Sequence, residues 1–187
     1  MLKPISLGLR GLFFVMALTI LALAAAMIAN QVYDTPPVTT RYSTFTGGFG
    51  MIVAGVGVLC TFVSFVPELV PLVLDGLAAL FFLGGGIAWA YGLKDTSNCS
   101  NYEAMLYSPL LNQGSISFGD KTGYGVAAGE DATPESIMSA LKGNCQRAQA
   151  DEILQFLCFG LGTALVGLGF LQRRRGGGGM HSGAYVA

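Results

Sequence analysis

Charged residues are scarce in this chain of 187 residues. Only 11% of its residues are charged, whereas 52% are hydrophobic and the mean hydropathy is +0.58. A soluble domain usually carries about a quarter charged residues, which cover its surface in water. This composition therefore excludes an ordinary soluble domain and predicts that lipid covers much of the surface.

Residues that carry chemistry are also few. With His181 as its one histidine, the sequence offers no Ser–His–acid set and no zinc site. Its glycine-rich stretches lie in apolar runs, without the lysine or strand context of a nucleotide-binding loop. The one dense basic run, Arg173-Arg174-Arg175, follows an apolar segment, which is typical of a membrane anchor rather than a nucleic-acid site. We therefore predict no enzyme and no cofactor, with a lipid or sterol as the candidate bound ligand.

Four apolar runs are long enough to cross a bilayer, which takes about 20 residues of helix. They cover residues 11–30, 45–66, 70–93 and 153–171. They predict an all-α membrane protein, a bundle of four transmembrane helices within residues 11–175. The first run also resembles a signal peptide, with a cleavage-site mimic at Ala24-Ala25-Ala26, but its length favours a retained helix.

Basic residues concentrate at the two ends of the chain. Residues 1–10 carry Lys3 and Arg10, and the three arginines follow the last run, whereas residues 93–150 carry six acids against four basic residues. The positive-inside rule therefore predicts cytoplasmic ends and a long external loop over residues 94–152. The tail 176–187, with its run of glycines, is predicted to be disordered.

The connections between the runs differ in length. Pro67-Glu68-Leu69 predicts a tight hairpin that makes the second and third helices antiparallel. Within the external loop, Gly114 to Gly129 is predicted to be irregular. Thr133 is a candidate N-cap with Pro134 as the first residue of a short helix that Gly143 would end.

Four cysteines divide by position. Cys60 and Cys158 lie within spans, where a free cysteine behaves as a small apolar residue. Cys99 and Cys145 lie at the two ends of the external loop, on the oxidising side, which favours a disulfide over two unpaired thiols. Asn98-Cys99-Ser100 is a glycosylation sequon, although its closeness to the membrane and a bridged middle residue would both hinder modification at Asn98.

Asp75 is the one charge within the spans. A functional interpretation makes it a proton, ion or lipid-headgroup site, and a structural one makes it an interhelical hydrogen-bond acceptor. No other acid, lysine or histidine lies at mid-membrane in the sequence, which favours the structural interpretation. Its expected partners are then Thr61 or Ser64. An asparagine at position 75 should keep the hydrogen bonds and therefore the fold.

Glycines are frequent in the spans, where small residues let helix backbones approach closely. We predict packing within the bundle for most of them and contacts between copies for some. The candidates are Gly47, Gly50, Gly55, Gly84, Gly85, Gly86, Gly160 and Gly167.

Three segments resemble a known family. They are the run from Val70 to Asp75, the close of the third span at residues 92–94, and the lead into the fourth span at residues 145–150. Together they resemble the fungal non-classical export proteins, four-helix MARVEL-domain proteins, over about residues 11–175. The external loop is longer than the family pattern, which leaves room for a partner.

The resemblance implies a non-enzymatic protein that organises plasma-membrane microdomains such as eisosomes. Its implied partners are membrane lipids, with sphingolipid or sterol as candidates, and further copies or other membrane proteins. A tetraspanin would need a Cys-Cys-Gly motif, which is absent, and a claudin-like protein would need cysteines within residues 31–43. The rival function is an accessory or pore-forming subunit of a transport complex, with Asp75 as its working carboxylate.

The first prediction concerns topology. Because basic residues flank both ends, a tag at the C-terminus should be protected from a membrane-impermeant reagent on intact cells, and a tag inserted beside Asp120 should react. Reaction of the C-terminal tag without permeabilisation would reverse the assigned orientation.

Overall fold

Four long helices form the framework of the protein. The structure is a computed structural model and describes residues 2–62, 69–96, 98–129 and 132–176. The long helices are α1 (Leu2–Ala29), α2 (Val38–Phe62), α3 (Leu69–Gly92) and α5 (Pro134–Gly176). Between α3 and α5 lie the short helix α4 (Tyr102–Tyr107), strands β1 (Ser115–Phe118) and β2 (Lys121–Tyr124), and a 3₁₀ turn (Gly125–Ala127). The predicted turn at Pro67 and Glu68 and the tail 177–187 lie outside the described residues.

The four long helices close into a ring in the order α1, α2, α3, α5. Each is long and apolar enough to cross a membrane. The most extensive contacts join α1 to α2 and α3 to α5, and smaller contacts join α1 to α5 and α2 to α3. The pairs α1–α3 and α2–α5 therefore lie across the diagonals. The predicted four-helix membrane bundle is confirmed.

The bundle is packed inside and apolar outside. Its core contains fully buried side chains from all four long helices, among them Phe13, Val53, Phe82 and Cys158. The rings of Phe13 and Phe82 meet edge to face with their centroids 5.4 Å apart. Large apolar side chains also point outward, as a surface in contact with hydrocarbon requires. They include Ile52, Leu59, Leu80 and Ile153, each at least 60% exposed.

Two helices begin earlier than the apolar runs predict. α1 starts at Leu2 rather than at residue 11, and α2 starts at Val38 rather than at residue 45. The first turns of α2 are polar, and the Arg41 N–H already donates to the Pro37 carbonyl at 3.1 Å. A hydropathy window detects only the part of a helix that suits hydrocarbon, so polar helical ends escape it.

Helix α5 is continuous through Gly143, so the predicted short helix with a stop at Gly143 is wrong. Its start is as predicted, because the Thr133 hydroxyl accepts from the Ser136 N–H at 3.2 Å and the Ser136 hydroxyl accepts from the Thr133 N–H at 3.0 Å. Beyond Gly143 the buried face continues through Cys145 and Ala148. At 43 residues, α5 is roughly twice as long as a bilayer core requires, at about 1.5 Å per residue.

The segment between α3 and α5, residues 93–96 and 98–129, forms a cap on the first half of α5. Met105 and Leu111 are fully buried there with Leu141 of α5 and Trp89 of α3. The predicted irregular stretch 114–129 is wrong in part, because β1 and β2 pair as an antiparallel hairpin. We call the end of the bundle under the cap the cap end and the other the open end.

A disulfide closes the base of the cap. Cys99 is bonded to Cys145 with their Cα atoms 5.8 Å apart, and Cys60 and Cys158 are free. The predicted pairing is confirmed. The bond joins the chain just beyond α3 to the side of α5, two helices that already pack against each other.

The second prediction tests this bond. In denatured, unreduced protein we expect only Cys60 and Cys158 to be alkylated, and all four cysteines after reduction. The substitution Cys145→Ser should loosen the cap and speed its proteolysis, with a stability loss below the chain-entropy figure of about 4 kcal/mol because helix packing already holds the ends together. Alkylation of all four thiols without reductant would contradict the bond.

Candidate functional site

Asp75 is paired with a basic side chain from the opposite helix of the ring. The Arg10 guanidinium of α1 donates to the Asp75 carboxylate through Nη1 to Oδ1 at 3.1 Å and Nη2 to Oδ2 at 2.7 Å. The side chains are 8% and 2% exposed. A bidentate contact of this kind is among the strongest that arginine makes. It neutralises the Asp75 charge at a place where lipid and protein exclude water.

A glycine of α2, the helix that packs against both α1 and α3, makes this pair possible. A Cβ atom on Gly57 of α2 would collide with the Arg10 guanidinium, whose Nε would lie 2.7 Å from it. The arginine therefore passes α2 at a notch, the space left by the absent side chain of Gly57, and reaches α3 across the bundle. Any side chain at this position has to displace the guanidinium or be displaced by it.

The prediction of Thr61 as a partner of Asp75 is wrong, and the prediction of Ser64 stays untested. The Thr61 hydroxyl donates to the carbonyl of Gly57 in its own helix at 3.0 Å, and Ser64 lies outside the described residues. Arg10 had been placed in a flanking segment because it precedes the first apolar run. With α1 starting at Leu2, Arg10 lies in the third helical turn, at a depth from which its long side chain reaches Asp75.

A second polar cluster lies near the cap end and was missed in the sequence. Asp151 of α5 is fully buried, and the Ser43 Oγ of α2 lies 2.7 Å from each of its carboxylate oxygens. The Gln155 Nε2 donates to Ser43 Oγ and to Thr46 Oγ, both at 3.0 Å, and lies 3.3 Å from Asp151 Oδ1. Hydroxyl and amide donors, rather than a cation, surround this carboxylate.

Trp89 of α3 completes the second cluster. Its indole Nε1 is the one buried side-chain nitrogen or oxygen without a regular hydrogen-bond partner among the described residues. The Asp151 carboxylate is the acceptor that this N–H approaches. This cluster has only a weak signal in the sequence, because Asp151 precedes the fourth apolar run and was assigned to the loop.

Each of the two clusters links a pair of helices. Arg10–Asp75 joins α1 to α3 and Ser43–Asp151 joins α2 to α5, which are the two diagonals of the ring. Within the described part of the chain, no group of three or more histidine, cysteine or acidic side chains is placed to hold a metal.

The predicted packing glycines divide into two groups. An added Cβ would meet the backbone of α1 at Gly47 and the Phe82 ring at Gly50. It would meet side chains of α5 at Gly85 and Gly86, and it would approach the Tyr42 hydroxyl at Gly84. At Gly55, Gly160 and Gly167 it would meet nothing within 4 Å. Five of the eight therefore pack within the bundle, as predicted for most of them, and the last three face open space, where contacts between copies stay a prediction.

The remaining predicted sites lie on the surface. Asn98 is exposed, next to the disulfide, and its glycosylation stays a prediction. Arg173 and Arg174 are exposed at the last turns of α5, as a membrane anchor at the open end requires.

The fold and these links define an integral membrane protein with four spans, a cap at one end and its intramembrane charges paired inside the bundle. A family model, MARVEL, described as a membrane-associating domain, matches residues 3–168. The chain therefore belongs to the MARVEL family, a family of membrane association and not of known enzymes. No curated protein and no solved structure gives a significant match. The narrower fungal branch stays a prediction.

The third prediction tests the buried ion pair. Replacing one partner leaves the other charge uncompensated, which typically costs roughly 3–5 kcal/mol, whereas replacing both with apolar groups is often neutral. We expect Asp75→Leu to unfold at clearly lower temperature in mild detergent, and Arg10→Met with Asp75→Leu to recover most of the lost stability. Contrary to the expectation from the sequence, Asp75→Asn should lose stability too, because it leaves the Arg10 charge unpaired. Asp95→Leu, at an exposed position, is the control. Equal stability of Asp75→Leu and the parent would contradict the assignment of Arg10 and Asp75 as a buried ion pair.

The fourth prediction tests the notch. Gly57→Ala should displace the Arg10 guanidinium and lower stability, although alanine is the better helix former by about 1 kcal/mol. Gly55→Ala, two residues away in the same helix and facing open space, is the matched control and should be neutral or stabilising. If both substitutions have the same effect on thermal unfolding, the arginine does not depend on the notch.

Proposed function

We propose that this chain is a non-enzymatic membrane-organising protein that acts in plasma-membrane microdomains of the eisosome type, through lipid and protein contacts. The observation that carries the proposal is the division between inside and outside. The buried charges Arg10, Asp75 and Asp151 meet partners within the bundle, and the outward surface of the spans is apolar. Such a molecule can act on its surroundings through shape and lipid contact.

The hydroxyl and carboxylate groups that could line a pore already have hydrogen-bond partners within the protein. The Thr61 hydroxyl bonds the Gly57 carbonyl, and the Thr163 hydroxyl bonds the Phe159 carbonyl at 2.8 Å, each within its own helix. Asp75, the carboxylate on which the transport alternative depends, is held by Arg10. These contacts favour an organising protein over an accessory or pore-forming subunit of a transport complex.

Two surfaces could carry the lipid and protein contacts. The exposed Arg173 and Arg174 at the end of α5 suit the phosphates of an anionic leaflet if that end is cytoplasmic. The outward-facing glycines Gly55, Gly160 and Gly167 leave room for close approach by a helix of another copy. Sphingolipid or sterol are the candidate lipids, as the fungal resemblance implies.

The fifth prediction separates the two functions. In liposomes, the purified protein should produce no ion or proton flux above that of empty liposomes, and tagged protein in cells should form plasma-membrane patches that disperse when sphingolipid synthesis is inhibited. Asp75→Asn, compared at matched amounts of folded protein because the substitution also lowers stability, serves as the control for a working carboxylate. A flux that the parent supports and Asp75→Asn abolishes would put the transport function first. An even distribution of the tagged protein would contradict the microdomain proposal.

A further inference from the structure

The hairpin of the cap has two chemically different faces. In its antiparallel register, Ile116 pairs with Gly123 and Phe118 with Lys121. Because side chains alternate along a strand, these four residues share one face, which we call the apolar hairpin face. The other face carries hydroxyl groups, from Ser115, Ser117, Thr122 and Tyr124. Phe118 is 68% exposed, so nothing in the described chain covers its ring.

The hydroxyl face contacts the rest of the cap through Tyr124, while its Ser115, Ser117 and Thr122 are exposed. The Tyr124 ring meets the Tyr107 ring of α4 edge to face, with centroids 6.0 Å apart. Since Tyr124 and Phe118 project from opposite faces of the hairpin, the apolar hairpin face points away from α4. The exposed ring of Phe118 lies either in water or in an apolar environment that is not part of this chain.

The base of the hairpin is fixed close to the end of a membrane helix. The Gln113 carbonyl accepts from the N–H groups of Val32 at 3.0 Å and Tyr33 at 3.2 Å. These residues follow α1, which ends at Ala29. Gly114, with a positive φ of 91°, lies so close to the Tyr33 backbone that a Cβ atom would collide with it. The hairpin therefore starts within a few residues of the membrane-spanning surface and cannot swing far from it.

The same combination of an aromatic ring and a lysine occurs where α3 ends. Tyr91 is 73% exposed, and the Lys94 Nζ lies 4.8 Å from the centre of its ring. Aromatic rings with a polar edge and lysines with long apolar stems are the side chains that suit the boundary between hydrocarbon and headgroups. Phe118 and Lys121, paired across the hairpin, place an apolar ring without a polar edge beside a lysine with the same long apolar stem.

We propose that the apolar hairpin face rests on the lipid headgroup region of the same bilayer that the four helices cross. Phe118 enters the boundary between headgroups and acyl chains, and the Lys121 ammonium pairs with lipid phosphate. Asp120, exposed in the turn between the strands, limits the depth, since a carboxylate is costly in hydrocarbon. The hairpin is then a contact of the cap with the leaflet beside the four helices. This inference rests on membrane insertion alone and stands whether or not the microdomain function holds.

The test compares the two faces of the hairpin by tryptophan fluorescence. Phe118→Trp and Thr122→Trp are reconstituted separately into phosphatidylcholine vesicles, with the signal of the buried Trp89 subtracted using the parent protein. We expect Phe118→Trp to emit at shorter wavelength, to lose intensity with headgroup spin-labelled lipid, and to resist aqueous iodide. Thr122→Trp should show the reverse. Retention of the Cys99–Cys145 bond serves as the check on folding.

Each outcome decides the proposal. Quenching of Phe118→Trp by iodide with no response to labelled lipid would overturn it, because the ring would then lie in water. Equal responses at both positions would overturn the assignment of one face to the membrane. Lys121→Glu combined with Phe118→Trp should reduce the quenching by labelled lipid, and an unchanged response would remove the lysine–phosphate contact from the proposal.

Discussion

The cost of a charge in a medium of low dielectric governs the arrangement of this bundle. Arg10 and Asp75 can stay inside only as a pair, so α1 and α3 are held at the separation that an arginine side chain spans. Helix α2, which packs beside both, must leave room for the guanidinium, which explains a glycine at position 57. The position of three helices thus depends on one ion pair.

Apolar packing alone would specify this ring poorly. In lipid, there is no hydrophobic drive between helices, and apolar surfaces can slide or rotate at small cost. Polar links restrict such movement because each has a defined partner and direction. The two links cross different diagonals at opposite ends of the bundle: Arg10–Asp75 toward the open end, and Ser43–Asp151 toward the cap end. Together they fix which faces of the four helices point inward.

Sequence reasoning predicted the parts of the fold that the bilayer dictates. Four runs of spanning length require four helices, and two cysteines at the ends of one loop are well placed to pair. It failed where depth in the structure differs from position in the sequence. Arg10 and Asp151 both lie outside the apolar runs, yet long side chains and polar helical ends bring them into the bundle. Gly143 failed as a stop because the buried face of α5 continues past it.

The pairing of polar groups inside the bundle decides where the protein can recognise a partner. The described polar groups of the spans are largely occupied by one another or by their own helices, so inside the bilayer a partner meets chiefly apolar shape and outward-facing glycines. Directional recognition then falls to the ends of the molecule. At the cap end, the disulfide fixes the cap to α5, and the Gln113 carbonyl fixes the hairpin to the end of α1. A cap held at two points moves with the bundle, so whatever binds the cap is coupled to the lipid that surrounds the spans.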